Sequence, residues 1–402
     1  MITTLPPDWR ETTVRRVLRL LDRPARSGLG VITAYRDGTV TLRSNRREDG
    51  YTFSDTENGY QEIRPGDLVF HALDGFAGAV GVSDSHGNGS PVYHVCESVV
   101  GDDPAYLARL LRHLGTSGFL ATQAPNVRER SVDFRNWSTF ARIPLVLPPA
   151  DEQRAIAYHL DRETAHIDTL IEEQQRLIEM LRERRQAIID VAFSVLGEPC
   201  VQLRRYTRFL TSGSRGWADY YADEGERFVR IGNLPRANLD LRGDVQFVDL
   251  PANVTEGSRT MLEAGDLLFS ITAYLGSVAV VGGDWVGAYV SQHVALCRLE
   301  SERVDSRFIG WFMLTTPGQD QLKEGAAGGA KMQLALDDIR GLRVPLAPIN
   351  EQRSIAASLD EQTAKIDTLI EETERFIELS RERRSALITA VVTGQIDVRE
   401  GA

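Results

Sequence analysis

The sequence predicts an α+β protein: two heads of mixed strands and short helices, separated by a pair of long antiparallel helices, within an internal pseudo-twofold repeat. The first observation behind this is a repeated segment. Glu152-Gln153-Arg154, Ile167–Glu173 and Arg182–Arg185 return 199 positions later as Glu351-Gln352-Arg353, Ile366–Glu372 and Arg381–Arg384, with 25 identical pairs in the 40 positions from Glu152 and Glu351. The second is that both copies place apolar residues three and four apart, the spacing of one helix face. The third is that a strand-rich stretch precedes each copy. A half-chain period this strong means two copies of one unit.

In the first head, Val31–Leu42 reads as a hairpin turning at Asp37-Gly38. Asp67–Ala72 reads as a buried strand and Tyr106–Leu114 as a helix. Gly66-Asp67-Leu68 returns as Gly265-Asp266-Leu267 at the same 199 offset, opening the strand Asp266–Ile271 of the second head, with a helix at Phe308–Leu314. Between these anchors the heads share little. The resulting segments are a head over 1–142, a helix over 143–196, a second head over 197–343 and a helix with a tail over 344–402.

Both helices open with acids in the first turn, which suits the positive end of the helix dipole. Their apolar stripes point to a shared seam that includes Ile167, Leu170, Leu177 and Leu181 of the first copy and Ile366, Leu369, Phe376 and Leu387 of the second. Gln174, Arg184, Thr373 and Ser380 interrupt it and are expected to set register or meet a further partner. Forty helical residues span about 60 Å, too long for either stripe to be buried alone.

Charge is uneven. The heads carry net 0 and −3 and the helical segments −4 each, within a total of −11. A free-standing nucleic-acid binder is normally basic, so any DNA role needs local arginine patches or a basic partner. Three isolated cysteines, Cys96, Cys200 and Cys297, make neither a disulfide framework nor a zinc spacing and suit a reducing cytoplasm. No apolar run is long enough to span a bilayer, and Met1–Pro7 lacks the basic start and apolar core of a signal peptide.

The order of parts resembles the DNA-specificity subunit of a type I restriction–modification enzyme. The matching residues are the junctions Ile143–Pro149 before Glu152-Gln153 and Val344–Pro348 before Glu351-Gln352. The helix endings Arg184–Ile189 and Arg383–Ile388 also match, the latter running into Val392-Thr393-Gly394. Gly87–Tyr93 in the first head, and Leu210–Gly213 with Arg230–Leu234 in the second, add to the resemblance, which covers essentially the whole chain. It implies two target-recognition domains, each reading one half of a split double-stranded DNA site, with the helices fixing the unread spacer. It implies two methyltransferase subunits holding S-adenosylmethionine, and translocase–nuclease subunits using ATP and Mg, with no cofactor on this chain. One departure is Ser214-Arg215-Gly216 after Leu-Thr-Ser-Gly, where members often carry threonine–proline.

Catalytic strings are missing. No Asn-Pro-Pro-aromatic or Asp-Pro-Pro-aromatic string, Gly-x-Gly-x-x-Gly or phosphate-cradling Gly-Lys-Ser/Thr loop occurs. His71 and His94 sit in apolar surroundings that suit core imidazoles. His159 and His166 are replaced in the second copy by Ser358 and Lys365, which argues against a metal pair.

Base edges are read by bidentate donors on protruding loops. The candidates are Arg43, Asn45, Arg46 and Arg47 after the hairpin, and Arg128 and Arg130. In the second head they are Ser212, Ser214, Arg215, Arg230 and Asn233, then Lys331 and Gln333 after the glycine-rich Gly325–Gly329. The bland reading of each is a solvated surface side chain. Two alternatives stay open: a coiled-coil scaffold whose divergent heads bind proteins, and an enzyme with an unfamiliar active site.

Overall fold

The computed structural model describes residues 8–46, 59–99, 101–124, 127–128, 131–213, 215–250, 256–326 and 333–398. Two compact units partition the chain, one formed by 1–173 with 376–402, the other by 174–375. Each therefore takes one head and one part of both long helices, Ala150–Ser194 and Ile349–Val392.

The first unit is built on a four-stranded antiparallel sheet in the order Leu18–Leu20, Tyr93–Ser98, Leu68–His71, Val80–Val82. The expected hairpin forms, with Ile32–Ala34 paired to Val40–Leu42. Helix Pro104–Thr116 begins where the Asp103 carboxylate accepts the Tyr106 N–H at 2.8 Å and Pro104 presets the first turn. Strand Arg10–Thr13 returns to pair with Pro144–Leu147, just ahead of the long helix. Phe70 packs on Phe140 at 4.2 Å, and this core extends through Leu107 and Leu111 to Ile156 and Leu160 of the first long helix and Val391 and Val392 of the second. Burying a side chain of this size contributes roughly 1.5–3 kcal/mol, so the helix parts are integral to this unit's core.

The second unit repeats the sheet. Its order is Thr207–Ser212, Val294–Leu299, Leu267–Ser270, Val278–Val280, all antiparallel. Helix Ser306–Met313 starts on Asp305, which accepts the Phe308 N–H at 2.9 Å. Val201–Gln202 pairs with Arg343–Val344 as the entry strand does in the first unit. A further four-stranded sheet, Tyr221–Ala222, Gln246–Val248, Glu226–Val229 and Tyr289–Val290, belongs to this head. Its core takes Ile189 and Phe193 from the first long helix and Ala356 and Leu359 from the second.

The repeated Gly-Asp-Leu motif makes the same turn in both units. Gly66 and Gly265 sit at φ +91° and +83°, a left-handed conformation that glycine adopts without a Cβ penalty. The following aspartate is buried and accepts a backbone N–H three residues back, Arg64 onto Asp67 and Glu263 onto Asp266, each at 2.7 Å. Each also receives a forked guanidinium, from Arg23 and Arg298 respectively. The motif is thus a strand-opening clamp.

Both long helices also begin on a buried glutamine. Gln153 takes the Asp103 N–H at 2.9 Å and donates to Asp102 Oδ1 at 2.7 Å and the Pro148 carbonyl at 3.0 Å. Gln352 takes the Asp305 N–H at 2.9 Å and donates to the Ala347 carbonyl at 2.8 Å. This is the physical content of the repeated Glu-Gln-Arg.

The helices run antiparallel. In the second unit Arg182 meets Glu374 and Arg185 meets Asp367, so the partner number falls as the first rises. Ile167, Ile366, Ile171 and Ile178 are buried, and Leu170, Leu181 and Leu387 are half-buried. Leu177, Leu369 and Phe376 were expected in the seam but are exposed, at 36%, 48% and 44%. In each doublet Leu170-Ile171, Leu177-Ile178, Leu369-Ile370 and Phe376-Ile377 the second residue is the more buried. Ala157, Leu160, Thr164, Ile167, Ile171 and their successors alternate steps of four and three, a 3.5-residue period that leaves the first member beside the seam. The polar interruption is likewise Arg185 rather than Arg184, which is exposed. Thr373 is buried and satisfies itself by donating to the Leu369 carbonyl at 2.7 Å.

Candidate nucleic-acid interface

In the first head, Arg43, Ser44 and Asn45 form a tight helical turn straight after the hairpin. Arg43 reaches the Thr33 hydroxyl at 3.4 Å and Asn45 donates to Thr41 Oγ1 at 2.9 Å. Arg46 folds back to pair with Asp37 at 2.7 Å, its guanidinium 4.5 Å from the centre of the Tyr35 ring. Burial pushes the Asp37 carboxyl up, but the hydrogen bonds from Arg46 and Thr39 outweigh this and hold it at about 2. Arg46 is therefore partly neutralised inside its own hairpin. Arg47 and Arg130 lie outside the described residues. Arg128 lies in the short pairing of Val127–Arg128 with Ser131–Val132.

The structure assembles a cationic cluster that sequence windows did not reveal. Arg64 at 2.9 Å, Arg26 at 3.0 Å and His86 at 2.8 Å all converge on the Glu62 carboxylate, which is itself buried. Hydrogen bonds from Arg64 and then His86 hold that carboxyl at about 2. Two arginines against one acid leave this exposed edge positive. Its members lie up to 60 positions apart, so no local motif announces it. Asn88 fixes the nearby chain, accepting the Arg26 N–H at 3.0 Å and donating to the Arg26 carbonyl at 2.8 Å.

In the second head, Arg215 is exposed with no ion pair among the described residues, and Ser212 ends the edge strand Thr207–Ser212. Ser214 and Lys331 lie outside the described residues, as do Ala327, Gly328 and Gly329 of the glycine-rich run, while Gln333 is exposed. Asn233 departs from the expectation of base contact. It is 2% exposed, accepts the Arg230 N–H at 2.9 Å and donates to the carbonyls of Arg242 and Asp244 at 3.0 Å each. Every polar site of that amide is engaged in closing its loop, which leaves Arg230, half-buried at the loop's start, as the donor there.

The histidines are structural or peripheral. His94 is buried against Phe70 and Phe140, with Nε2 2.7 Å from the Phe134 carbonyl, and burial lowers its pKa. His71 Nδ1 accepts the Leu73 and Asp74 N–H groups. Among the described residues, no group of three His, Cys, Asp or Glu is placed to hold a metal ion. No helix there is long and apolar enough to cross a membrane.

Residues 252–379 match the family described as the type I restriction modification DNA specificity domain. A putative type I restriction enzyme MjaX specificity subunit from Methanocaldococcus jannaschii is 24% identical over 322 residues, 74% of this chain and 69% of that one. The type I restriction enzyme EcoBI specificity subunit of Escherichia coli is 22% identical over 309 residues, which span 68% of this chain and 62% of the relative. Among solved structures, one described under complex assembly and conformational transition of the type I R-M system aligns with TM-score 0.70 and 16% identity over 98% of this chain and all of the other. The HsdS subunit from Thermoanaerobacter tengcongensis aligns with TM-score 0.56 and 18% identity, over 98% and 99%. At these identities the structural likeness speaks to the fold.

Proposed function

We propose that the chain is a specificity subunit of a type I restriction–modification system, selects the DNA site of such a complex and performs no catalysis itself. The observation that carries this reading is a recognition frame built twice with different loops. Sheet order, aspartate clamp, capped helix and glutamine anchor recur in both units. The outer sheet differs in extent, four strands in the second head against a hairpin bridged to Gly87–Gly89 in the first, and among the described residues the Glu62 cluster belongs to the first head alone. Two frames with two dissimilar polar surfaces suit a bipartite double-stranded site, one half per head.

In this reading two methyltransferase subunits supply S-adenosylmethionine chemistry, and translocase–nuclease subunits supply ATP- and Mg-dependent cleavage, in the cytoplasm. The side chains just off the helix seam support docking of a partner helix there. Leu177, Met180 and Leu369 are exposed on the second unit's helices, Phe376 and Leu379 on the first unit's, and apolar lines of this kind mark protein contacts. The paired helices would set the unread spacer.

The decisive experiment is selection from a randomised duplex library, by the full chain together with the subunits that co-purify with it. A two-part motif with a fixed gap is expected. The net charge of −11 favours the scaffold alternative, and recovery of no sequence preference would select it instead.

A further inference from the structure

The loop Ile271–Ser277 of the second unit joins strands Leu267–Ser270 and Val278–Val280. At its tip Tyr274 has φ +56°, and it is the one non-glycine residue in the left-handed region among the described residues. Cβ crowds the backbone in that conformation, so a tyrosine adopts it only where the surroundings impose it. Packing gives no return, since Tyr274 is 54% exposed. Unfavourable backbone carrying an exposed aromatic is a pattern that collects at functional sites.

The loop is held firmly from below. The Tyr274 carbonyl accepts the Ser277 N–H at 3.1 Å, and the Ser270 hydroxyl donates to the Ala273 carbonyl. Gln319 Nε2 donates to the Gly276 carbonyl at 2.9 Å, and Thr272 Oγ1 lies 3.1 Å from His293 Nδ1. The Leu334 N–H donates to the Ile271 carbonyl at 3.0 Å, which brings exposed Gln333 beside the same loop.

Arg236 lies over the ring, its guanidinium carbon 4.8 Å from the ring centre. Stacking uses the flat face of a guanidinium and leaves its N–H edges pointing outward. Among the described residues Arg236 makes no ion pair or side-chain hydrogen bond, and it is exposed. Open hollows of about 440 and 340 Å³ flank the ring, the first shared with Arg236, the second with Arg230.

We propose that Tyr274 and Arg236 form a base-reading pair of the second head, the tyrosine ring holding the guanidinium flat for a bidentate contact with the O6 and N7 edge of a guanine in the major groove. This deepens the DNA-selection reading and rests on it. The corresponding loop of the first head, between Leu68–His71 and Val80–Val82, shares the left-handed glycine two residues before its second strand, Gly78 matching Gly276, but holds no non-glycine residue in the left-handed region. The pair therefore acts on one half-site only.

The test repeats the library selection with R236K, Y274A, Y274F and Y274G in the full chain and its co-purifying subunits. R236K keeps the charge but loses the planar fork, so preference for guanine at one position of one half-site should fall about tenfold or more. Y274A and Y274G should lose the same preference, although Y274G relieves the backbone and should melt no lower than the parent. Y274F should keep it. The other half-site and the affinity for unrelated duplex should change by less than about twofold. An unaltered motif in both R236K and Y274A overturns the pair alone. A uniform loss across all sequences in R236K also overturns it, by making Arg236 a phosphate contact. A parent that selects no motif overturns the DNA-selection reading beneath it.

Discussion

Arg185 and Asp367 are joined by a forked pair, Nε to Oδ1 at 2.7 Å and Nη2 to Oδ2 at 3.2 Å, and moving both positions by the 199-residue repeat gives the second ion pair of the stem, Arg384 with Asp168. The pairs use the same residue types but differ in geometry and setting, since Arg384 donates to Asp168 through Nη2 alone, at 3.2 Å. Arg185 is 7% exposed and its guanidinium carbon lies 5.7 Å from the Trp311 ring centre, whereas Arg384 is 32% exposed. Removing one partner of a buried ion pair strands the other, while a solvated pair contributes little. Arg185→Ala should cost about 2–3 kcal/mol, less than a fully buried pair because Asp367 is 31% exposed. Arg384→Ala should cost about 0–1 kcal/mol. Urea denaturation of both variants measures this, and equal losses would show that the setting does not matter.

The glutamine anchors give a second expectation. Gln153→Ala leaves the Asp103 N–H and the Pro148 carbonyl without their partner at a fully buried site. An orphaned buried polar group costs about 1–3 kcal/mol, so the loss should be about 2–4 kcal/mol. Gln352→Ala should cost the same or somewhat less, because its bonds to Asp305 and Ala347 repeat two of the three that Gln153 makes, and the third goes to the Arg303 carbonyl at 3.4 Å in place of the Asp102 carboxylate. Thermal unfolding of each variant is the measurement, and a shift of less than a degree or two in either would contradict the role.

Asp266→Asn separates fold from recognition. Asp266 is 1% exposed and accepts both arms of Arg298 at 2.8 Å, together with the Glu263 N–H. Neutralising it should cost about 2–4 kcal/mol, somewhat below a fully isolated pair because Glu263 also reaches Arg298 at 2.6 Å. The DNA sequence selected should not change. A changed motif would make the Gly-Asp-Leu turn part of the reading surface.

Much of the architecture was legible because it is written in periodicity: the repeat, the two helices, the hairpin at Asp37-Gly38 and the paired aspartate strands all follow from spacing. The exact seam is not legible, since Leu177 and Ile178 are equally apolar and only the 3.5-residue period of a supercoiled pair decides between them. Asn233 looked like a reader because amides read adenine, but three backbone groups converge on it once the loop closes. The Glu62 cluster and the Tyr274–Arg236 stack could not be found at all. Their members are distant in sequence, and a positive φ on tyrosine leaves no mark in composition.

The Arg46–Asp37 pair fixes a pH dependence. The folded Asp37 carboxyl lies at about 2 against an ordinary 3.8. A depressed carboxyl stabilises the fold above its unfolded value, and that contribution disappears as pH falls from about 4 toward 2. Arg46→Ala should return the titration toward the ordinary value and flatten this part of the stability curve. Carboxyl-detected NMR titration reads it directly, and an unmoved Asp37 would show that Thr39 alone holds it.

The stem gives the last expectation, which tests the proposed spacer role. Each unit takes one part of each long helix, so lengthening a single helix shifts its seam against a partner that has not grown. Seven residues inserted after both Glu173 and Glu372 preserve the 3.5-residue seam and the order of the ion pairs, because seven is two periods of that repeat. Each helix then gains about 10 Å at 1.5 Å per residue. DNA advances about 3.4 Å per base pair, so the unread gap should lengthen by about three base pairs with both half-sites unchanged. The same insertion after Glu173 alone should leave Ile178 and Arg185 facing the wrong residues and destabilise the stem. Library selection with the doubly extended chain decides the matter: a folded, sequence-selective variant with the original gap would mean that something other than these helices sets the distance.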